Sequence, residues 1–275
     1  NDILLVIDCG SGFRVLGNTL LQKSNGQPIE AYILISHTHW DHIQGFPFFI
    51  PAFIPNNTFK IYGAEGVSRQ IEESLAGQME SPYFPVALNE MAADISFEHI
   101  TQTEFNIGDI NIKTCFLNHP GVALGYRIST GDGDVVYYSD HEPYHRLLMT
   151  PSPFTLDVCS DISDDEKIQY ARLRDQEYVD FCAGADLLIE DSPYTADEYK
   201  TKAGFGHACV DDVIKMALNG QVKQLALFHH DPIHSDDEID EIVNYCRAEL
   251  IPSESPLNCI AAREGLQISI EQGLR

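Results

Sequence analysis

Positive charge is scarce in this chain. Lysine and arginine number 17 against 42 aspartates and glutamates, a formal net charge of −25. Such a surface repels a polyanion unless a local basic patch intervenes. The sequence holds no such patch, so a long nucleic acid is a poor partner. Long apolar runs are missing too. Ile3–Ile7 and Leu225–Phe228 have the length of strands, far short of the roughly 18 consecutive apolar residues of a membrane span, so no membrane partner is expected. Asn1-Asp2-Ile3-Leu4 lacks the basic region, apolar stretch and small-residue cleavage site of a secretory signal. The seven cysteines are odd in number and scattered without a CxxC pair, which argues against a disulfide framework or a thiolate zinc knuckle. A cytoplasmic location fits this usage best.

What is present suffices for a sizeable core: 275 residues, 44% of them hydrophobic, read as a single domain over residues 1–275. Strand-like runs recur at Ile3–Asp8, Ala31–Ser36, Phe59–Tyr62, Ile110–Phe116, Gly125–Ser129, Val135–Ser139, Leu187–Glu190 and Leu225–Phe228. Gly131-Asp132-Gly133-Asp134 between two of them has hairpin chemistry. Val210, Val213, Ile214, Ala217 and Leu218 share one helical face, and Ser235 with Glu238 forms a capping box before another helix. Residues 157–180 form an acidic, weakly apolar excursion, read as a solvated helix or loop. Interleaved strands and helices predict an α/β fold.

The run Tyr32–Ile35 ends in Ser36-His37-Thr38-His39-Trp40-Asp41-His42, which places four potential metal ligands just past a strand. Imidazole nitrogen and carboxylate oxygen suit zinc, and also manganese or iron. Alternation along the backbone lets His37 and His39 point together, with Asp41 and His42 facing a second ion.

This HxHxDH hexapeptide resembles the motif of the metallo-β-lactamase superfamily. The resemblance continues through Asn118-His119-Pro120-Gly121, Tyr138-Ser139-Asp140-His141-Glu142 and Phe228-His229-His230-Asp231-Pro232, in the family's order. It implies an αββα four-layer sandwich of two mixed sheets flanked by helices, entered here past part of the first strands. It also implies two divalent metal ions: one held by His37, His39 and His119, the other by Asp41, His42 and His229, with Asp140 bridging. Only one of His229 and His230 can face the metals; His229, directly after the strand, is the choice and His230 the alternative. His141, His145 and His234 have no place in the pattern and read as surface groups or supports of the ligands. His99 has no assigned role.

Two ions roughly 3.5–4 Å apart can hold a bridging hydroxide as nucleophile and stabilise a developing oxyanion. Gly204-Phe205-Gly206-His207, ahead of the Val210–Leu218 helix, resembles the additional histidine of the ribonuclease Z-like phosphodiesterase branch. That likeness implies that His207 stabilises charge or protonates the leaving oxygen, with Asp41 beside it as the second catalytic group. Asp140 argues against the cysteine-ligated β-lactamases, and His39 against the diiron flavoproteins. The expected substrate is a small anionic molecule, a small or cyclic phosphodiester. The alternatives are a lactone or thioester hydrolase of the same fold, or a metal-binding sensor without catalysis. A homo-oligomer is compatible with the sequence. The aromatics Trp40, Phe46, Phe48, Phe49 and Phe53 read first as core and second as an apolar wall for a base or aryl group.

Overall fold

A computed structural model describes residues 3–64, 71–150 and 163–270. The chain has two compact units, Asn1–Thr103 and Glu104–Arg275.

The first unit runs β1 (Leu5–Ile7), α1 (Gly12–Ser24), β2 (Glu30–Ile35), α2 (Trp40–Ile43), two 3-10 turns over 46–53, β3 (Thr58–Ala64), α3 (Ile71–Gly77) and β4 (Asp94–Ile100). Its sheet has the order β1-β2-β3-β4, and every pair is parallel. The expected mixed direction does not apply to this sheet. Each of its strands is separated from the next by a crossover segment rather than a hairpin, and crossovers return the chain in the same direction. Phe13 from α1 stacks on Phe49 at 3.9 Å and joins Ile33, Ile35, Phe59 and Ile61 in the core. Phe46 and Phe49 are therefore core residues, whereas Trp40 and Phe48 are exposed. At Gly45 an added Cβ would lie 2.0 Å from the carbonyl oxygen of Gly10, so the turn after β1 and the segment after α2 can approach only through glycine.

The second unit runs β5 (Glu104–Ile107), β6 (Ile110–Leu117), β7 (Ala123–Ser129), β8 (Asp134–Tyr138), α4 (Tyr144–Met149), α5 (Asp164–Cys182), β9 (Leu187–Asp191), α6 (Ala196–Tyr199), α7 (Val210–Asn219), β10 (Gln224–Phe228), α8 (Asp236–Tyr245) and β11 (Asn258–Ala261). Its seven strands are ordered β11-β10-β9-β8-β7-β6-β5, parallel from β8 to β11 and antiparallel from β5 to β8. The β7–β8 hairpin closes where the glycines and aspartates predict it, with Ser129 opposite Asp134. Val213, Ile214 and Ala217 of α7 pack with Tyr138, Leu188 and Leu225 of the sheet. Each large apolar side chain buried there contributes about 1.5–3 kcal/mol before chain entropy is counted. Because β6 and β8 are both antiparallel to β7, and β8 is parallel to β9 and β10, these four strands end at one edge of the sheet.

The start of the acidic excursion, up to residue 162, lies outside the described residues. From Asp164 it is the helix α5, capped by the Ser163–Glu166 box. Its acidic face is exposed, but Ala171, Tyr178 and Cys182 are buried, and Tyr178 donates a hydrogen bond to the Phe116 carbonyl. No described helix is long and apolar enough to cross a membrane.

His145 ties three of these helices together. Its Nδ1 lies 2.7 Å from Asp175 of α5 and its Nε2 3.0 Å from Asp212 of α7. Burial opposes charge on this imidazole, but the hydrogen bonds and negative charge of both carboxylates prevail and raise its pKa from 6.5 to about 9. Burial likewise opposes charge on Asp212, yet His145 and Arg146 pull its carboxyl down to about 2. A raised histidine stabilises the fold fully below its ordinary value and ceases to as pH rises through the folded value. The melting temperature should therefore decline as pH rises from about 6.5 to about 9, and His145→Gln should flatten that slope. An equal slope in the variant would contradict this role. The Asp212 contribution fails only in acid, as pH falls through about 2.

Candidate metal centre

In the first unit the C-terminal ends of two adjacent parallel strands build the histidine cluster. Asp8 follows β1 and Ser36 follows β2, with Ile7 paired to Leu34. One oxygen of Asp8 accepts the Ser36 N–H at 2.7 Å; the other accepts the Ser36 hydroxyl at 2.8 Å and the Nδ1–H of His42 at 2.9 Å. Since the serine hydroxyl gives its single proton to Asp8, its oxygen accepts from His37 Nδ1, 3.1 Å away. One carboxylate thus fixes the tautomers of both His37 and His42, with Nε2 as the nitrogen each could offer to a metal. The imidazoles of His39 and His42 lie 4.6 and 4.1 Å from that of His37. Asp41 reaches His42 Nε2 at 3.1 Å. His37 and His42 are buried, whereas His39 and Asp41 are exposed.

The residue that organises this cluster, Asp8, was not singled out in the sequence, because a lone acid after an apolar run belongs to no motif. Asp8→Ala should leave every candidate ligand in place yet weaken metal binding by about 10–100-fold, the usual consequence of losing a carboxylate that orients a ligating histidine. Zinc titration of the metal-free protein measures this, and unchanged affinity would refute it.

In the second unit His119 follows β6, Asp140 follows β8, Asp191 ends β9 and His229 follows β10, all at the shared edge. Asp140 is buried, 2% exposed. Its Oδ2 lies 3.8 Å from His119 Nε2 and its Oδ1 3.6 Å from His229 Nε2, so each oxygen faces a different imidazole. His119 donates its Nδ1–H to the Gly206 carbonyl at 3.0 Å, which again leaves Nε2 as the nitrogen that could serve a metal. His229 takes a left-handed backbone conformation, φ 55°, and turns to Asp140. His230 points away, to the Ala262 carbonyl at 3.1 Å.

His207 Nδ1 donates to Asp191 at 2.9 Å, and its ring stacks on that of His229 at 5.1 Å. Ligand-type atoms of Asp191, His207 and His229 fall within 4.8 Å of one another. Burial pushes the Asp191 carboxyl upward, and the hydrogen bond and charge of His207 oppose the shift. Asp191 is a second functional candidate that the sequence did not flag, though its place at the end of an apolar strand was visible. Among the unassigned histidines, His141 is buried against Glu190 at 3.1 Å, and His234 bonds Glu198 at 2.8 Å. His99 is exposed on β4.

Both donor sets fit divalent metal. The half-buried Asp8 carboxylate, the Ser36 hydroxyl and the Gly206 carbonyl pin the Nδ1 atoms of His42, His37 and His119 in turn, which is how a metal-ligating imidazole is normally held. Nitrogen and carboxylate donors suit zinc, manganese or iron.

Residues 4–155 match the family described as a β-lactamase superfamily domain. The chain is 26% identical to a ribonuclease Z of Clostridium perfringens over 88% of its own length and 84% of the relative's. It is 22% identical to the ribonuclease Z of Thermoplasma acidophilum, over 87% and 80% of the two chains. Among solved structures, the metallo-β-lactamase fold protein YhfI from Bacillus subtilis is similar with a TM-score of 0.59 at 19% identity, covering 95% of this chain and 85% of that one. The short form of human tRNase Z is similar with a TM-score of 0.55 at 18% identity, over 96% and 87%. These structural likenesses bear on the fold, an α/β arrangement of two sheets flanked by helices.

Proposed function

The chain belongs to the β-lactamase superfamily and is a metal-dependent hydrolase of that fold; from this premise we propose that it cleaves phosphodiesters, with small or cyclic ones as its substrates. His37, His39 and His119 would hold one divalent ion, Asp41, His42 and His229 the other, and Asp140 would bridge them. Two such ions supply Lewis acidity towards a water and towards the phosphoryl oxygens. They also leave a positive local charge, which lets an anion bind inside an acidic protein.

The observation that carries the phosphodiester reading is the Asp191–His207 pair. A departing alkoxide is a strong base and needs a proton or a positive charge, whereas a departing thiolate needs neither. His207, with Nδ1 fixed by a buried carboxylate, presents Nε2 as the group that protonates or stabilises the leaving oxygen. Asp191 holds that ring in one orientation. Asp41, exposed beside His42, is the second acid–base candidate.

A second reading is favoured by the relatives named ribonuclease Z: the phosphodiester belongs to an RNA. The scarcity of lysine and arginine weighs against a long RNA held along its backbone. One panel on a single metal-loaded preparation separates the readings: an aryl phosphodiester, a cyclic nucleotide, a transfer RNA precursor, a lactone and a thioester. Turnover of the first two is expected to exceed that of the others. Turnover confined to the lactone or thioester would overturn the phosphodiesterase reading, and turnover confined to the RNA would replace small substrates with a nucleic acid.

A further inference from the structure

Glu142 lies two residues beyond Asp140 and is buried, 2% exposed. Its carboxylate accepts the Gly204 N–H at 2.8 Å on Oε1 and the Gly206 N–H at 3.0 Å on Oε2, and the Tyr199 hydroxyl also donates to Oε1. Its backbone is stitched to the neighbour of His119. The Glu142 N–H donates to the Asn118 carbonyl at 2.8 Å, and Asn118 Nδ2 donates to the Glu142 carbonyl at 2.6 Å. Three segments, 118–119, 140–142 and 204–207, therefore meet at one residue, the first through its backbone and the last through its carboxylate.

We propose that Glu142 is a positioning residue that sets His119 and His207 together by clamping the Gly204–Gly206 turn. Both glycines have left-handed backbones, φ 90° and 88°, a region open to glycine and one that leaves an unrestrained loop many alternatives. A buried carboxylate bonded to alternate amides removes that freedom, and hydrogen bonds to a charged acceptor are about twice as strong as neutral ones. The clamped turn aims the Gly206 carbonyl at His119 Nδ1 and so selects the tautomer that leaves Nε2 towards Asp140. A Cβ at Gly206 would sit 2.1 Å from His119 Nδ1, so the turn and the ring are in close fit. The residue after Gly206 is His207, whose direction towards Asp191 is set by the same turn. The functional consequence rests on reading His119 as a metal ligand; the geometry does not.

The test is Glu142→Gln, which keeps the side chain's length but replaces one acceptor oxygen with an NH₂ group that cannot accept from a glycine N–H. In the metal-free wild type, long-range 1H–15N spectra should show His119 protonated at Nδ1, and the Gly204 and Gly206 amides should exchange slowly despite lying in a turn. In the variant the His119 tautomers should mix, both amides should exchange faster, and zinc affinity should fall by about 10–100-fold. A folded variant with the wild-type tautomer and wild-type exchange overturns the proposal. Should the variant not fold, rapid exchange of both glycine amides in the wild type overturns it, and slow exchange supports it. A wild type that binds no zinc but shows the expected tautomer and protection would defeat the metal reading and leave the clamp standing.

Discussion

Asp140→Ala is expected to remove bound metal and turnover together, taking the protein from close to two metal equivalents to one or none. The phosphodiesterase rate should fall at least about a thousandfold, equivalent to roughly 4 kcal/mol of transition-state stabilisation. The size of the effect follows from the position of the carboxylate. It is buried, and each oxygen faces a different imidazole, His119 at 3.8 Å and His229 at 3.6 Å. As the proposed bridge it contributes a ligand and a negative charge to both ions, so its loss should damage both sites, whereas loss of a ligand to one ion damages one. His39→Ala should also abolish activity, and because His39 is exposed it should do so with little change in melting temperature. Metal analysis by mass spectrometry alongside an aryl phosphodiester assay reads both variants. Wild-type metal content in Asp140→Ala would contradict the bridging role.

His207→Ala should separate what Asp140→Ala couples. Metal content should stay at the wild-type level while kcat falls by about 10²–10⁴, the range for loss of a general acid. The loss should be smaller for a p-nitrophenyl ester, whose phenolate departs readily, than for an alkyl phosphodiester, whose alkoxide needs the proton. This dependence on leaving group marks an acid and would be absent if His207 served only packing. The competing role is concrete, because Asp191, His207 and His229 bring ligand-type atoms within 4.8 Å of one another. If His207→Ala loses about one metal equivalent, His207 is a ligand and its role as acid is contradicted.

Much of this was legible in the sequence, for identifiable physical reasons. The strands β2, β9 and β10 are parallel and covered by helices, so they read as continuous apolar runs, and each ends at a polar residue that marks the sheet edge. The hairpin after Ser129 is encoded by its glycines and aspartates, and α7 by apolar positions on one face. Three strands were not legible. β4 (Asp94–Ile100) alternates exposed Asp94, Ser96 and Glu98 with half-buried Ile95 and Phe97 and closes one edge of its sheet. β5 is likewise a four-residue edge strand of alternating polarity. β11 (Asn258–Ala261) is four residues long with Cys259 as its one fully buried side chain.

At the site, residues within the HxHxDH hexapeptide were legible because several donors so close in sequence are rare without a metal. Asp8, Glu142 and Asp191 were not. Each is a single carboxylate whose partners lie far along the chain: Ser36 and His42 for Asp8, Gly204 and Gly206 for Glu142, His207 for Asp191. Their roles exist only once strand ends are brought side by side. The choice between His229 and His230 had the same character. Strand alternation left one of the pair to face inward; the left-handed backbone at His229 turns it to Asp140, while His230 bonds the Ala262 carbonyl.

The most direct test of the central claim is a zinc titration of metal-free protein in which bound metal and hydrolysis of an aryl phosphodiester are followed in the same sample. The expected result is saturation near two equivalents, with turnover rising as the sites fill and absent in Asp140→Ala. Protein that binds its full complement of zinc yet leaves every phosphodiester intact would contradict the claim.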